Sequence, residues 1–98
     1  MGLFPDQNVV FPPVVGDSIV VTLTGEIERV ESTNVKNNYK DKNQKDCGYY
    51  DLVPIDDGKK LKMNTWKLYF ALRDAGVDVG DTIEIIHAGK GEYVIEKK

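Results

Sequence analysis

Cysteine, histidine and tryptophan occur once each in this chain, no long apolar run is present, and positive charge is not in excess. Each shortage closes off a class of reading. A lone Cys47 has no partner for an intramolecular disulfide, so neither a disulfide scaffold nor an oxidising compartment is implied. Without a CxxC pair, and with His87 far away in sequence, neither a zinc cluster nor a Cys–His nucleophile can be assembled from neighbouring residues. His87 reads as structural or solvent-exposed, and Cys47 as neither a zinc ligand nor a nucleophile. No apolar stretch approaches the ~20 residues of a membrane helix. The start, MGLFPDQNVVFPPVVGD, has no basic segment followed by an apolar block. The cytoplasm is therefore the default location, and no membrane partner is expected. A net charge of −3 and a pI near 5.1 speak against a general polyanion binder. Gly89-Lys90-Gly91 lacks the GxxxxGK[ST] spacing of a phosphate loop, and Asp56-Asp57 belongs to a turn, so no catalytic constellation stands out and no cofactor is expected.

What is present is an ordinary globular composition, with 41% hydrophobic and 30% charged residues over 98 positions. That length supports one core and not two. Charge is unevenly spread: Asn34 to Lys67 holds eight lysines against five aspartates, a local +3 inside an acidic chain. A lysine-rich loop that is merely solvated would show the same excess.

Along the chain, three prolines among apolar residues forbid a helix in residues 1–16, which read as an extended arm docking through Phe4 and Phe11. Residues 17–98 form the domain. Ser18 to Val30 reads as one long strand with Ile19, Val21, Leu23 and Ile27 on its inner face. Gly25 marks a bend that lets the strand serve two halves of a barrel. Glu31 to Asp46 is almost wholly polar and reads as a mobile loop of about fifteen residues. The segment GYYDLVPIDDGKKLKMN follows as a β-hairpin turning at Asp56-Asp57-Gly58. Alternation sets Leu61 and Met63 inward and Lys60, Lys62 and Asn64 outward; on the partner strand it suggests Tyr50 and Leu52 inward and Tyr49 outward. Thr65 opens a densely apolar helix ending near Gly76, and two strands follow, turning at Ala88-Gly89-Lys90-Gly91. All-β with one helix, in the arrangement of a five-stranded OB-fold barrel with its helix between strands three and four, is the expected fold class.

An exposed Tyr49 beside Lys60 and Lys62 is a surface suited to stacking a base and neutralising a phosphate. In order and spacing, the bent first strand, the GYYDLVPIDDGKKLKMNTW segment, the helix ending in DAGV, VGDTIEII and the closing GKGEYVIE resemble the small OB-fold single-stranded DNA-binding proteins of bacteriophages, which serve DNA replication. The resemblance runs over residues 17–97. It implies a nucleic-acid surface formed by Tyr49, Lys60, Lys62 and Asn64 on the strands, by Lys36, Tyr39, Lys40, Lys42 and Lys45 in the first loop, and by Lys90 in the last. The acidic tail of the bacterial members is not matched by the closing Glu96-Lys97-Lys98. Single-stranded DNA is the expected partner, with RNA undecided. A homodimer through strand edges or an exchanged arm stays open, as does a protein-interaction module on the same barrel.

Overall fold

Where the long first strand bends, the fold divides into two sheets. The computed structural model describes residues 9–98. Its elements are β1 (Val9–Val10), β2 (Ser18–Thr22), β3 (Glu28–Glu31), β4 (Tyr49–Pro54), β5 (Lys60–Met63), α1 (Trp66–Asp74), β6 (Thr82–Gly89) and β7 (Glu92–Lys97). One sheet runs β1-β5-β4-β3 and the other β2-β6-β7, so the two halves of the predicted strand enter different sheets. Gly25 sits at the break, where a Cβ would come within 3.0 Å of Pro54 Cγ. The close approach, rather than a turn, is what requires glycine here. Just before it, Leu23 joins both sheets. Its N–H donates to Asp81 O, it bridges Ile55 across the gap, and Thr24 N–H donates to Pro54 O at 2.9 Å.

Apolar residues alternating along β2, β4, β5 and β6 meet between the sheets: Val21 against Ile83 and Ile85, Val53 against Leu61, with Met63 beside them. Helix α1 adds Leu68 and Leu72, one turn apart on one face. Its opposite side is wet. Phe70 is 41% exposed, so the helix is amphipathic and not enclosed on most sides. Beyond the bend Ile27 also leaves the core, because the chain has changed sheets by then.

The turn chemistry follows the sequence. Asp57 and Gly58 both adopt positive φ, 64° and 68°, as a tight hairpin connection requires. Gly76 ends the helix in the same left-handed region.

Three features depart from expectation. Strand β4 has the opposite register: Asp51 pairs with Met63 and Val53 with Leu61, so Tyr49, Asp51 and Val53 point inward while Tyr50 and Leu52 share the outer face with Lys60 and Lys62. Secondly, the polar loop does bury something, since Tyr39 is wholly inaccessible and Asn38 nearly so. Tyr39 N–H donates to Tyr49 O, Cys47 N–H to Tyr39 O and Ser32 N–H to Gly48 O, which tie the loop down on both sides of a small hairpin tipped by Asp41 to Lys45.

Thirdly, among the described residues no closed barrel forms. The fold is β-rich with one helix and two sheets, and β7 pairs with β6 alone. The arm borders β5 instead, β1 running parallel to it with Val9 opposite Lys60 and Val10 opposite Leu61. Farther on, Pro13 is buried and its carbonyl lies 2.9 Å from His87 Nδ1, which fixes the proton on that nitrogen. His87 also stacks on Tyr93. The arm is thus held before and after Phe11, yet Phe11 itself does not dock: it is 62% exposed. Phe4 lies outside the described residues. No helix among those described is long and apolar enough to cross a membrane.

Candidate nucleic-acid interface

The outer face of the four-stranded sheet carries the side chains that alternation turns away from the core: Glu28 and Val30 on β3, Tyr50 and Leu52 on β4, Lys60 and Lys62 on β5. At its centre Lys62 Nζ lies 4.9 Å from the ring centre of Tyr50 and 5.7 Å from that of Phe11. Such distances are within the range of cation–π attraction, which steadies the ammonium between two rings without neutralising it. Lys62 Nζ also donates to Asn37 Oδ1 at 2.5 Å. Asn64, at the end of β5, approaches Lys36 O through Nδ2 at 3.5 Å. Loop and sheet therefore meet at Lys36, Asn37, Lys62 and Asn64.

The remaining residues read from sequence fall in different places. Lys60 is on the same face but its ammonium is 3.1 Å from Glu28, so its charge is matched on the protein. Lys40 contacts Val35 O and, at 3.9 Å, Asp46, holding the loop hairpin together. Lys42 and Lys45 occupy the exposed loop tip, where Asp41 Oδ1 accepts from Asn43 N–H and Lys45 N–H. Lys90 is exposed at the β6–β7 turn. That turn abuts the start of α1 just after Asn64, since a Cβ on Gly91 would lie 3.7 Å from Lys67 Cε.

Tyr39 is removed from the interface by burial, and Tyr49, half-buried, points to the opposite face of the sheet. Tyr39 stacks on Trp66 with ring centres 4.0 Å apart, and Tyr49 meets both edge-on. The Tyr39 hydroxyl donates to Asp51 Oδ2 at 2.6 Å. Arg29 reaches the same carboxylate with two nitrogens, at 3.0 and 3.3 Å, while its guanidinium lies 4.2 Å above the Tyr49 ring. A fully buried aspartate is thereby provided with a cation and a hydroxyl donor, which is what a buried charge requires. Burial, reinforced by the bond to Asp51, pushes the Tyr39 phenol well above its ordinary range, and the same carboxylate raises Arg29 through its hydrogen bond.

Tyr50, Leu52 and Phe11 of this face escape a reading from sequence. Tyr50 looked like core because Asp51 looked like surface. Reading alternation backwards from Val53 and Ile55, which are unambiguous core residues, would have turned Tyr50 outward. Phe11 had no such signal, since its position depends on the parallel pairing of β1 with β5.

Compared with known proteins, the chain matches no family model, no curated protein and no solved structure.

Proposed function

We propose that this chain is a non-catalytic binder of single-stranded DNA, using an OB-fold-like arrangement in which the outer face of the β1-β5-β4-β3 sheet receives the strand. The observation that carries the reading is the Lys62 ammonium between the rings of Phe11 and Tyr50, on an open sheet face bordered by Lys36 and Asn64. Exposed rings accept bases of any sequence by stacking, at ~1–3 kcal/mol per base, and a lysine between them serves the phosphate. Two anchors hold the backbone on either side of an exposed phenylalanine, an arrangement that suits a platform better than a core contact. The order of strands and helix, and a first strand shared by two sheets, support the OB-fold comparison; the arm occupying the edge of β5 takes the place of a closing strand.

A protein-interaction module is the second reading. It draws support from an apolar groove of about 330 Å³ between α1 and the bend, bordered by Leu23, Ile27, Tyr69, Leu72 and Val79. Anisotropy titration of a labelled oligo-dT at two salt concentrations separates the two. Affinity that falls steeply with salt supports nucleic-acid binding, and absence of binding at low salt rules it out.

A further inference from the structure

Strand β3 ends the four-stranded sheet, and its outer edge is open. Its ladder to β4 continues in the bond from Ser32 N–H to Gly48 O, so alternation turns the backbone groups of Glu28 and Val30 toward β4 and those of Arg29 and Glu31 away from it. Among the described residues, no backbone hydrogen bond beyond that ladder involves residues 25–31. Such a row of unpaired N–H and C=O groups is a template for a further strand.

The apolar groove of about 330 Å³ adjoins this edge. Residues 25–27 and 77–79 line it together with Val53, Tyr69 and Leu72. Leu23, also in the lining, is where the two segments are joined: its N–H donates to Asp81 O and its O accepts from Gly80 N–H. Ile27 and Val79, 46% and 54% exposed, leave apolar surface open to solvent there. Because Val53 and Leu72 are core residues, the groove lies on the inner side of the sheet, away from the face of Tyr50 and Lys62. Its surroundings are acidic. Arg73 is paired with Asp74 and Arg29 with Asp51, whereas among the described residues Glu26, Glu31 and Asp78 are in no ion pair.

We infer, resting on the second reading for this groove, that edge and groove together bind an extended segment of a partner protein. The segment adds a strand beside β3, places a large aliphatic side chain in the groove and carries basic residues at its ends. Main-chain hydrogen bonds supply affinity, and the groove fixes the register, because side chains of the added strand reach the inner side only at every second position. A small apolar molecule would fill the groove and leave the edge unpaired.

The probe is a labelled heptapeptide that alternates threonine with leucine and valine and ends in lysines. Anisotropy titration should give saturable binding, weakened by about tenfold or more in Ile27→Asn and in Val79→Asn, where a polar group enters the apolar contact. Both side chains are half in solvent, so melting temperatures should hold. Hydrogen exchange followed by NMR should slow at the Arg29 and Glu31 amides when peptide is bound and stay as it was at Glu28 and Val30, which already face β4. N-methylation of one alternate set of peptide amides should abolish binding, and methylation of the other set should spare it. Exchanging the terminal lysines for glutamates should weaken binding at low salt. Binding that leaves exchange at Arg29 and Glu31 unchanged overturns strand addition and keeps the groove as an interaction site. Absence of peptide binding overturns the inference and removes the support this groove gives to the second reading. Affinity for oligo-dT, read separately and expected to be equal in Ile27→Asn and wild type, keeps either result apart from the nucleic-acid reading.

Discussion

Strand β4 presents a tyrosine on each of its two faces, and each tyrosine has a cation over its ring: Arg29 over Tyr49 inside, Lys62 over Tyr50 outside. What lies beyond the rings separates them. Behind Tyr49 come Tyr39, Trp66 and, bonded to the Tyr39 hydroxyl, the buried carboxylate of Asp51, so the ring packs against the aromatic cluster of the protein. Tyr50 is half-buried on the outer face, opposite Val30, with Lys62 over its ring and the mostly exposed Phe11 beyond that lysine. Two tyrosines one position apart, each beneath a cation, thus serve cohesion on one face and, in the proposed function, ligand on the other. The lesson is that an aromatic beside a cation identifies a binding surface only when the ring has a face left over.

The comparison breaks most visibly at Tyr39. Tyr39→Ala removes a buried aromatic stacked on Trp66 and should cost ~3–5 kcal/mol, measured as a lowered denaturant midpoint. Tyr39→Phe keeps the stack and loses only the bond to a buried charged group, for about 1.5–3 kcal/mol. The same pair of proteins tests the titration. The Tyr39 phenol is pushed above its ordinary value of 10.0 in the folded state. Its contribution to stability is therefore complete below that value and is lost as pH rises above it, where the unfolded chain releases the proton and the folded chain keeps it. Stability measured from pH 8 upward should fall more steeply beyond about pH 10 in the wild type than in Tyr39→Phe. Equal slopes would mean that the phenol is not protected by the fold.

Next in size is the exchange of roles across β4. Phe11→Ala and Tyr50→Ala should each weaken oligo-dT binding by ~1–3 kcal/mol with the salt dependence nearly unchanged, because a ring face displaces no counterion. Phe11→Ala should leave the melting temperature in place, as the ring is mostly in solvent. Tyr49→Ala should do the reverse, lowering stability through lost packing against Tyr39 and Trp66 and affecting binding only through that loss. If Tyr49→Ala abolishes binding at full stability, the outer face is not the binding face.

These predictions rest on residues that were unequally legible. Gly25, the Asp56-Asp57-Gly58 turn, the helix from Thr65 to Gly76 and the alternation of Lys60 to Asn64 act over a few residues, so local rules recover them. The register of β4 is local too, but its signal conflicts with itself: Asp51 is charged and yet wholly buried. What makes that burial tolerable is Arg29, twenty-two positions away, and Tyr39, twelve positions away. Alternation carries no information about such partners. The loop was misread for the same reason, one aromatic among polar neighbours being enough to anchor it once a stacking partner arrives from α1. Of the residues expected from sequence to form a site, Lys36, Lys62 and Asn64 lie together where loop and sheet meet, because they are on or just after the strand with clear alternation or on the loop beside it. Phe11 depends on long-range pairing and was out of reach.

The smallest effect concerns charge that is on the right face but already matched. Lys60 and Lys62 are two residues apart on β5 and point the same way, yet Lys60 is paired with Glu28 whereas the partners of Lys62 are neutral. A phosphate that recruits Lys60 must compete with that carboxylate, and Glu28 also repels the strand. Lys62→Ala should therefore reduce the salt slope by about 0.7, the value for one phosphate contact on a single strand, and Lys60→Ala by distinctly less. Glu28→Gln sharpens the contrast, because it frees Lys60 and removes the repulsion without altering the sheet. It should raise affinity for oligo-dT at low salt, steepen the salt slope by up to about 0.7 and leave stability nearly unchanged, since an exposed pair of this kind contributes little to folding. The double variant Glu28→Gln with Lys60→Ala should lose the added slope while keeping part of the gain in affinity, which separates the recruited lysine from the removed repulsion. Should Glu28→Gln leave both affinity and slope as they were, the strand does not pass over the β3 side of this sheet, and its path must run from Phe11 toward Asn64 and Lys36 instead.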